Sequence, residues 1–137
     1  MNIQAYLAFD GRCEEALEFY REAIGAEITS LMRFSECPDP MPPDMLPPGS
    51  EHKIMHSAFR VAGQELLASD GNCAGKSKFD GFSLALSVAD PQTAQRYFKA
   101  LGHGGQIHQP LIKTFFASSF GVVNDRFGVS WMVLSMP

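Results

Sequence analysis

The chain has 137 residues, a length that favours one domain over two. Eleven basic residues against fifteen acidic ones leave a net charge of −4, which argues against the strongly basic footprint of a nucleic-acid binder. Apolar residues make up 45% and charged residues only 19%, so much of the chain belongs in a core, a pocket or an interface. No apolar run approaches the ~20 residues of a membrane span. Met1-Asn2-Ile3-Gln4 has no basic region ahead of an apolar stretch, so no signal peptide is read. Cys13, Cys37 and Cys73 show no CxxC pairing, which favours reduced thiols and a cytoplasmic location.

In chain order, Ile3 to Phe9 is rich in β-formers and reads as a strand closed by Asp10-Gly11. From Cys13 the period becomes helical, with Cys13, Ala16, Leu17, Tyr20 and Ile24 on one face, acidic residues early, and Gly25 as the stop. Glu27 to Phe34 reads as a second strand. Pro38 to Ser50 holds six prolines and is a loop. Its Met41, Met45 and Leu46 predict that the loop folds over something apolar. Ile54–Val61 and Glu65–Ser69 form a hairpin around Ala62-Gly63, and the polar stretch Asp70 to Ser77 is a linker.

Phe82 to Val88 is a strand. Asp90-Pro91 starts a helix, with the Asp as cap and the Pro in the first turn. Ala94, Tyr97, Phe98 and Leu101 share a face of that helix, and Gly102 ends it. Gly104 to His108 is a short strand, and Phe115–Val123 with Val129–Ser135 make a last hairpin. The pattern strand, helix, three strands thus occurs twice. Tyr20-x3-Ile24-Gly25 is echoed 77 residues later by Tyr97-x3-Leu101-Gly102. The expected fold is α+β: one domain over 1–137, with one βαβββ unit over about 1–72 and a second over about 78–137. One helix covers one face of each sheet, so the mixed, curved sheets are expected to enclose a cleft for a small molecule.

Several local words carry a resemblance. They are Tyr6-Leu7-Ala8-Phe9-Asp10-Gly11-Arg12-Cys13-Glu14-Glu15-Ala16, Phe34-Ser35-Glu36-Cys37-Pro38, His56 to Gly63, Ser69-Asp70, and Thr114-Phe115-Phe116-Ala117 through to Asp125-Arg126-Phe127-Gly128-Val129-Ser130-Trp131. Together they resemble PhnB-like proteins of the vicinal oxygen chelate superfamily, which includes glyoxalases, bleomycin-resistance proteins and extradiol dioxygenases. The resemblance implies a homodimer, and the group often carries the label 3-demethylubiquinone 3-methyltransferase-like. The sequence itself holds no Gly-rich strand–loop–helix for S-adenosylmethionine. In metal-dependent relatives four His or Glu residues hold a divalent ion. The resemblance puts those positions at Ala5, Ser83, Ser69 and Met132, none of which is His or Glu. A one-residue shift brings in Gln4, Asp70 and Phe82, and only one carboxylate. No metal and no cofactor are therefore expected. His52-x3-His56 has ligand spacing only on a helix, and here it ends in a strand, where four residues span roughly 13 Å.

Alternation places His56, Ala58 and Arg60 on the face away from the helix, opposite Met55, Phe59 and Val61. Ser83, Ala85, Ser87 and Met132 face the same way in the second unit. His56 is a candidate general base or hydrogen-bond partner for a ligand carbonyl; otherwise it is a core histidine bonded to backbone. Asp70 either caps a turn or completes a His–Asp pair. Arg60 pairs with a ligand anion or with a neighbouring carboxylate. Glu36 points to the cleft mouth or to solvent. Phe34, Phe115, Phe116 and Phe120 wall the pocket or belong to the core. Ser69, Ser83 and Met132 complete the candidate ligand-binding set. Arg12 beside Cys13 would lower that thiol's pKa unless burial prevails. Three functions follow as expectations: metal-free binding of a small molecule, a lyase or isomerase with His56 as base, and a methyltransferase.

Overall fold

The computed structural model describes residues 1–39, 47–71, 73 and 75–137. The expectation for Met41, Met45 and Leu46 lies outside the described residues. The chain divides into two units, Met1–Ser77 and Lys78–Pro137. The first runs β1 (Tyr6–Ala8), α1 (Cys13–Ile24), β2 (Glu27–Arg33), β3 (Ile54–Val61) and β4 (Gln64–Ser69). Two short 3-10 turns, Phe34–Glu36 and Ser50–His52, lie between β2 and β3. The second runs β5 (Leu84–Val88), α2 (Pro91–Gly102), β6 (Gln106–Ile112), β7 (Ser119–Asn124) and β8 (Ser130–Ser135). The sheet orders are β1-β4-β3-β2 and β5-β8-β7-β6, so the two topologies are the same. In each unit the first strand pairs in parallel with the last and the other pairs are antiparallel. This is the twice-repeated βαβββ pattern read from the sequence.

In the first unit α1 lays Cys13, Ala16, Leu17, Tyr20 and Ile24 onto the sheet. Tyr20 stacks on Phe59 at 5.9 Å between ring centroids and meets Phe9 at 6.2 Å. Gly25 takes the left-handed conformation that ends the helix. Arg12, at the N-cap, supplies no side-chain cap. Asp70 supplies it from the far end of the unit: one oxygen accepts the N–H groups of Gly11 and Cys13, each at 2.8 Å, and the other accepts Ile54 N–H at 2.8 Å. One buried carboxylate therefore ties the helix start to the entry of β3.

In the second unit the Asp90 carboxylate accepts Thr93 N–H at 2.7 Å, and Pro91 opens α2, as expected. Ala94, Phe98 and Leu101 are buried against the sheet, whereas Tyr97 is only half-buried. Gly121 on β7 is required by the close approach of that helix, since a Cβ there would stand 2.7 Å from the Phe98 ring. Trp131, Val133 and Val123 complete the core.

Several extents differ from the sequence reading; β5, for one, starts at Leu84 and leaves Phe82 and Ser83 ahead of the strand. The first strand covers only Tyr6–Ala8. Phe115–Ser118 is a turn, in which Thr114 Oγ accepts Phe116 N–H at 3.3 Å and Ala117 N–H at 3.0 Å. The strand expected at Gly104–His108 starts later and continues to Ile112, through Pro110. Proline is tolerated there because β6 is an edge strand, and the pairing with β7 is irregular between Gln109 and Ile112. Among the described residues no helix is long and apolar enough to cross a membrane.

Candidate functional site

Each sheet has one face under its own helix and one face without a helix. Strand alternation and the register assign the residues of the second face. In the first sheet three rows cross the strands: Ala8, Ser69, His56 and Met32; then Tyr6, Leu67, Ala58 and Ser30; then Glu65, Arg60 and Glu27. In the second sheet the rows are Ser87, Leu134, Phe120 and Ile112; then Ala85, Met132, Val122 and Gln109; then Ser83, Ser130, Asn124 and Gln106.

His56 is exposed, so the reading of it as a buried core histidine is corrected. Its ring lies 6.0 Å from that of Tyr6, tilted by 38°, and Met32 is its partner across β2. Arg60 shares the face but lies two rows away. The register sets it between Glu27 and Glu65, so its charge is offset by neighbouring carboxylates of its own sheet. Ser69 lies in the His56 row, and its Oγ accepts Gly71 N–H at 3.0 Å.

Asp70 does not form a His–Asp pair. It is 1% exposed, and its two oxygens take the three backbone N–H groups described above. Its role is the turn and helix cap, the other reading the sequence left open. Glu36 is likewise engaged locally, one oxygen accepting Arg33 N–H at 2.9 Å in the turn after β2, where Phe34 is half-buried. Arg33 reaches the other way, to Glu14 at 2.5 Å and to the His52 carbonyl at 2.8 Å. Cys13 is fully buried beside Ser57, and burial pushes its thiol up to about 12, so the lowered value considered from Arg12 does not hold.

Ser83 donates or accepts a 2.7 Å hydrogen bond with Ser130, and Met132 lies on the same face. Phe116 meets Phe120 at 5.2 Å and Phe115 at 5.2 Å, both edge to face. Phe115 is 96% exposed and Phe116 42%, so these two are not core residues. Sequence reasoning missed Tyr6, Met32 and Leu67 in the first face and Asn124, Val122 and Leu134 in the second. The alternation that placed His56 would have found Tyr6, since Leu7 is the buried partner in that strand.

The four positions at which the resemblance places metal ligands do not fit a divalent cation. Ala5 has no donor atom, Ser69 and Ser83 are hydroxyls already hydrogen-bonded, and Met132 offers a soft thioether. The one-residue shift gains nothing, because Asp70 is committed to backbone and Gln4 donates to the Glu65 carboxylate at 2.8 Å. Among the described residues no group of three or more His, Cys, Asp or Glu could hold a metal ion.

The sequence profile of the family described as 3-demethylubiquinone-9 3-methyltransferase matches residues 1–134. Protein YjdN of Escherichia coli (strain K12) is 34% identical over 140 residues, covering 97% of this chain and 94% of that protein. The crystal structure of protein PA1353 from Pseudomonas aeruginosa is 36% identical, with a TM-score of 0.85 over 99% of this chain and 98% of that one. A Bacillus cereus structure described as a putative 3-demethylubiquinone-9 3-methyltransferase, PhnB protein, is 29% identical, with a TM-score of 0.80 over 98% of this chain and 99% of that one. The chain belongs to this PhnB-like family, and its repeated βαβββ unit is the fold of solved glyoxalase/bleomycin-resistance proteins.

Proposed function

We propose that this PhnB-like protein binds a small organic molecule on the helix-free sheet faces through its own side chains, with no metal ion mediating the contact. The observation that carries the reading is the exposed His56 beside Tyr6, on a face whose neighbouring ligand positions hold Ser69 and no metal-binding pair. An exposed imidazole offers one donor and one acceptor to a ligand. A reducing, cytoplasmic setting suits three free thiols.

The test is a thermal-shift screen of purified protein against a metabolite panel, with bound-metal analysis of the same preparation. A ligand raises the melting temperature by mass action. The reading expects such a ligand, with the shift lost in His56→Ala and no stoichiometric metal. One equivalent of zinc, nickel, iron or manganese retained by the protein would refute it.

A second reading is supported by the same histidine. Among the described residues no hydrogen bond reaches its imidazole, so it is available to take a proton, as a lyase or isomerase base would. That reading expects turnover of a panel compound to vanish in His56→Ala with the fold intact. The family description names a methyltransferase. Calorimetric titration with S-adenosylmethionine tests that activity directly, and saturable binding would favour it over both readings above.

A further inference from the structure

The two helix-free faces differ in charge. The first carries His56, Arg60, Glu27 and Glu65. The second has no ionisable side chain in any of its three rows. His108, at the irregularity between Ile107 and Gln109, Lys113, after β6, and the buried Asp125, after Asn124, whose carboxylate is taken by the Trp131 indole, are the ionisable groups next to it in sequence.

The second face is also graded along the strands. At one end Phe120 continues into Phe116 and Phe115, an edge-to-face series of rings held outward by the Thr114 turn. Met132, Val122 and Ala85 form the middle. At the other end sit the Ser83–Ser130 hydroxyl pair, Asn124 and Gln106. Phe120 and Asn124 are four residues apart, which is roughly 13 Å along a strand. Apolar side chains flanked by a few neutral hydrogen-bonding groups are the makeup of small-molecule sites. Aromatic edges favour a flat ring over an aliphatic chain. A carboxylate or ammonium placed here would lose water without gaining a counter-charge.

We infer that the helix-free face of the second sheet binds an uncharged ring compound, its ring against Phe116, Phe120 and Met132 and a neutral hydroxyl or carbonyl against Ser83, Ser130 and Asn124. This rests on the proposed small-molecule function and adds the chemical class of the ligand.

Calorimetric titration of the full-length protein with 2-naphthol and with 2-naphthoate at pH 7 tests it, because the two probes share a ring and differ in charge. The expected result is at least tenfold tighter binding of 2-naphthol. Met132→Glu should abolish that binding. Phe116→Ser, at an exposed turn, should weaken it at least fivefold with an unchanged melting temperature, which keeps the test sound if Met132→Glu fails to fold. Equal or tighter binding of naphthoate, or no loss in Phe116→Ser, would each overturn the inference. If naphthol does not bind while a panel metabolite gives a His56-dependent thermal shift, the inference fails and the proposed function stands. If neither binds, both fail.

Discussion

The indole N–H of Trp131 donates to the carboxylate of Asp125 at 2.9 Å, and both residues are buried at the β7–β8 hairpin. The other Asp125 oxygen accepts Phe127 N–H at 2.9 Å and Val129 N–H at 3.1 Å, so one side chain fixes the turn and its indole together. Removing the acceptor leaves buried donors unpaired, at a cost of about 1–3 kcal/mol each before relaxation. Asp125→Ala should therefore lower stability by about 2–4 kcal/mol in urea unfolding. Trp131 is the single tryptophan, so its fluorescence reports the same transition. Trp131→Phe removes the donor and should cost less than Asp125→Ala.

Asp70 and His56 lie close in the first unit and should behave oppositely. Asp70 holds Gly11, Cys13 and Ile54 through three backbone N–H groups, and no residue in the first turn of α1 replaces it. Asp70→Ala should cost about 2–4 kcal/mol of unfolding free energy. His56→Ala, at an exposed strand position, should stay within about 0.5 kcal/mol of the natural protein. Parallel urea titrations compare them. A large loss in His56→Ala would mean a structural histidine and would undercut its role in ligand binding.

The fold was legible because its signals are periodic and local. Cys13 to Ile24 and the Asp90-Pro91 helix start follow the sequence reading, and the Ala62-Gly63 hairpin falls where expected. Strand β6 runs beyond the expected end at His108 and through Pro110, and only the sheet order shows that this proline lies on an edge strand. Alternation placed His56, Arg60 and Met132 on the helix-free faces. It could not say that Asp70 is consumed by backbone, since the partners Gly11 and Ile54 lie 59 and 16 residues away. Nor could it say that Glu27 and Glu65 flank Arg60, because that depends on cross-strand register.

Ala62 is strained. It and Gly63 form the two-residue loop between Val61 and Gln64, with φ of +52° and +79°. Positive φ at both positions suits a type I′ turn, which favours Asn-Gly and penalises a residue such as alanine at the first position. Ala62→Asn should raise stability by about 0.5–1 kcal/mol, read as a higher urea midpoint with an unchanged slope. Ala62→Pro, which cannot reach positive φ, should lower it.

Cys13 gives the chain a specific alkaline weakness. Its buried thiol keeps the proton up to about 12, against a usual 9.0, because the thiolate would lose its water. Above pH 9 the unfolded chain releases that proton while the folded chain retains it. The unfolded state then binds fewer protons, so stability falls as pH rises, by up to ~1.4 kcal/mol per pH unit. Below pH 9 both states keep the proton and this dependence vanishes. In Cys13→Ala the Cys13 contribution is gone, while Ser57 keeps its 2.7 Å hydrogen bond to the Ala68 carbonyl. Unfolding titrations at pH 7.5, 9.5 and 10.5 should therefore show the natural protein losing stability faster than Cys13→Ala. Parallel loss in the two proteins would place the alkaline sensitivity elsewhere, first on Cys73, whose thiol is also pushed up by burial.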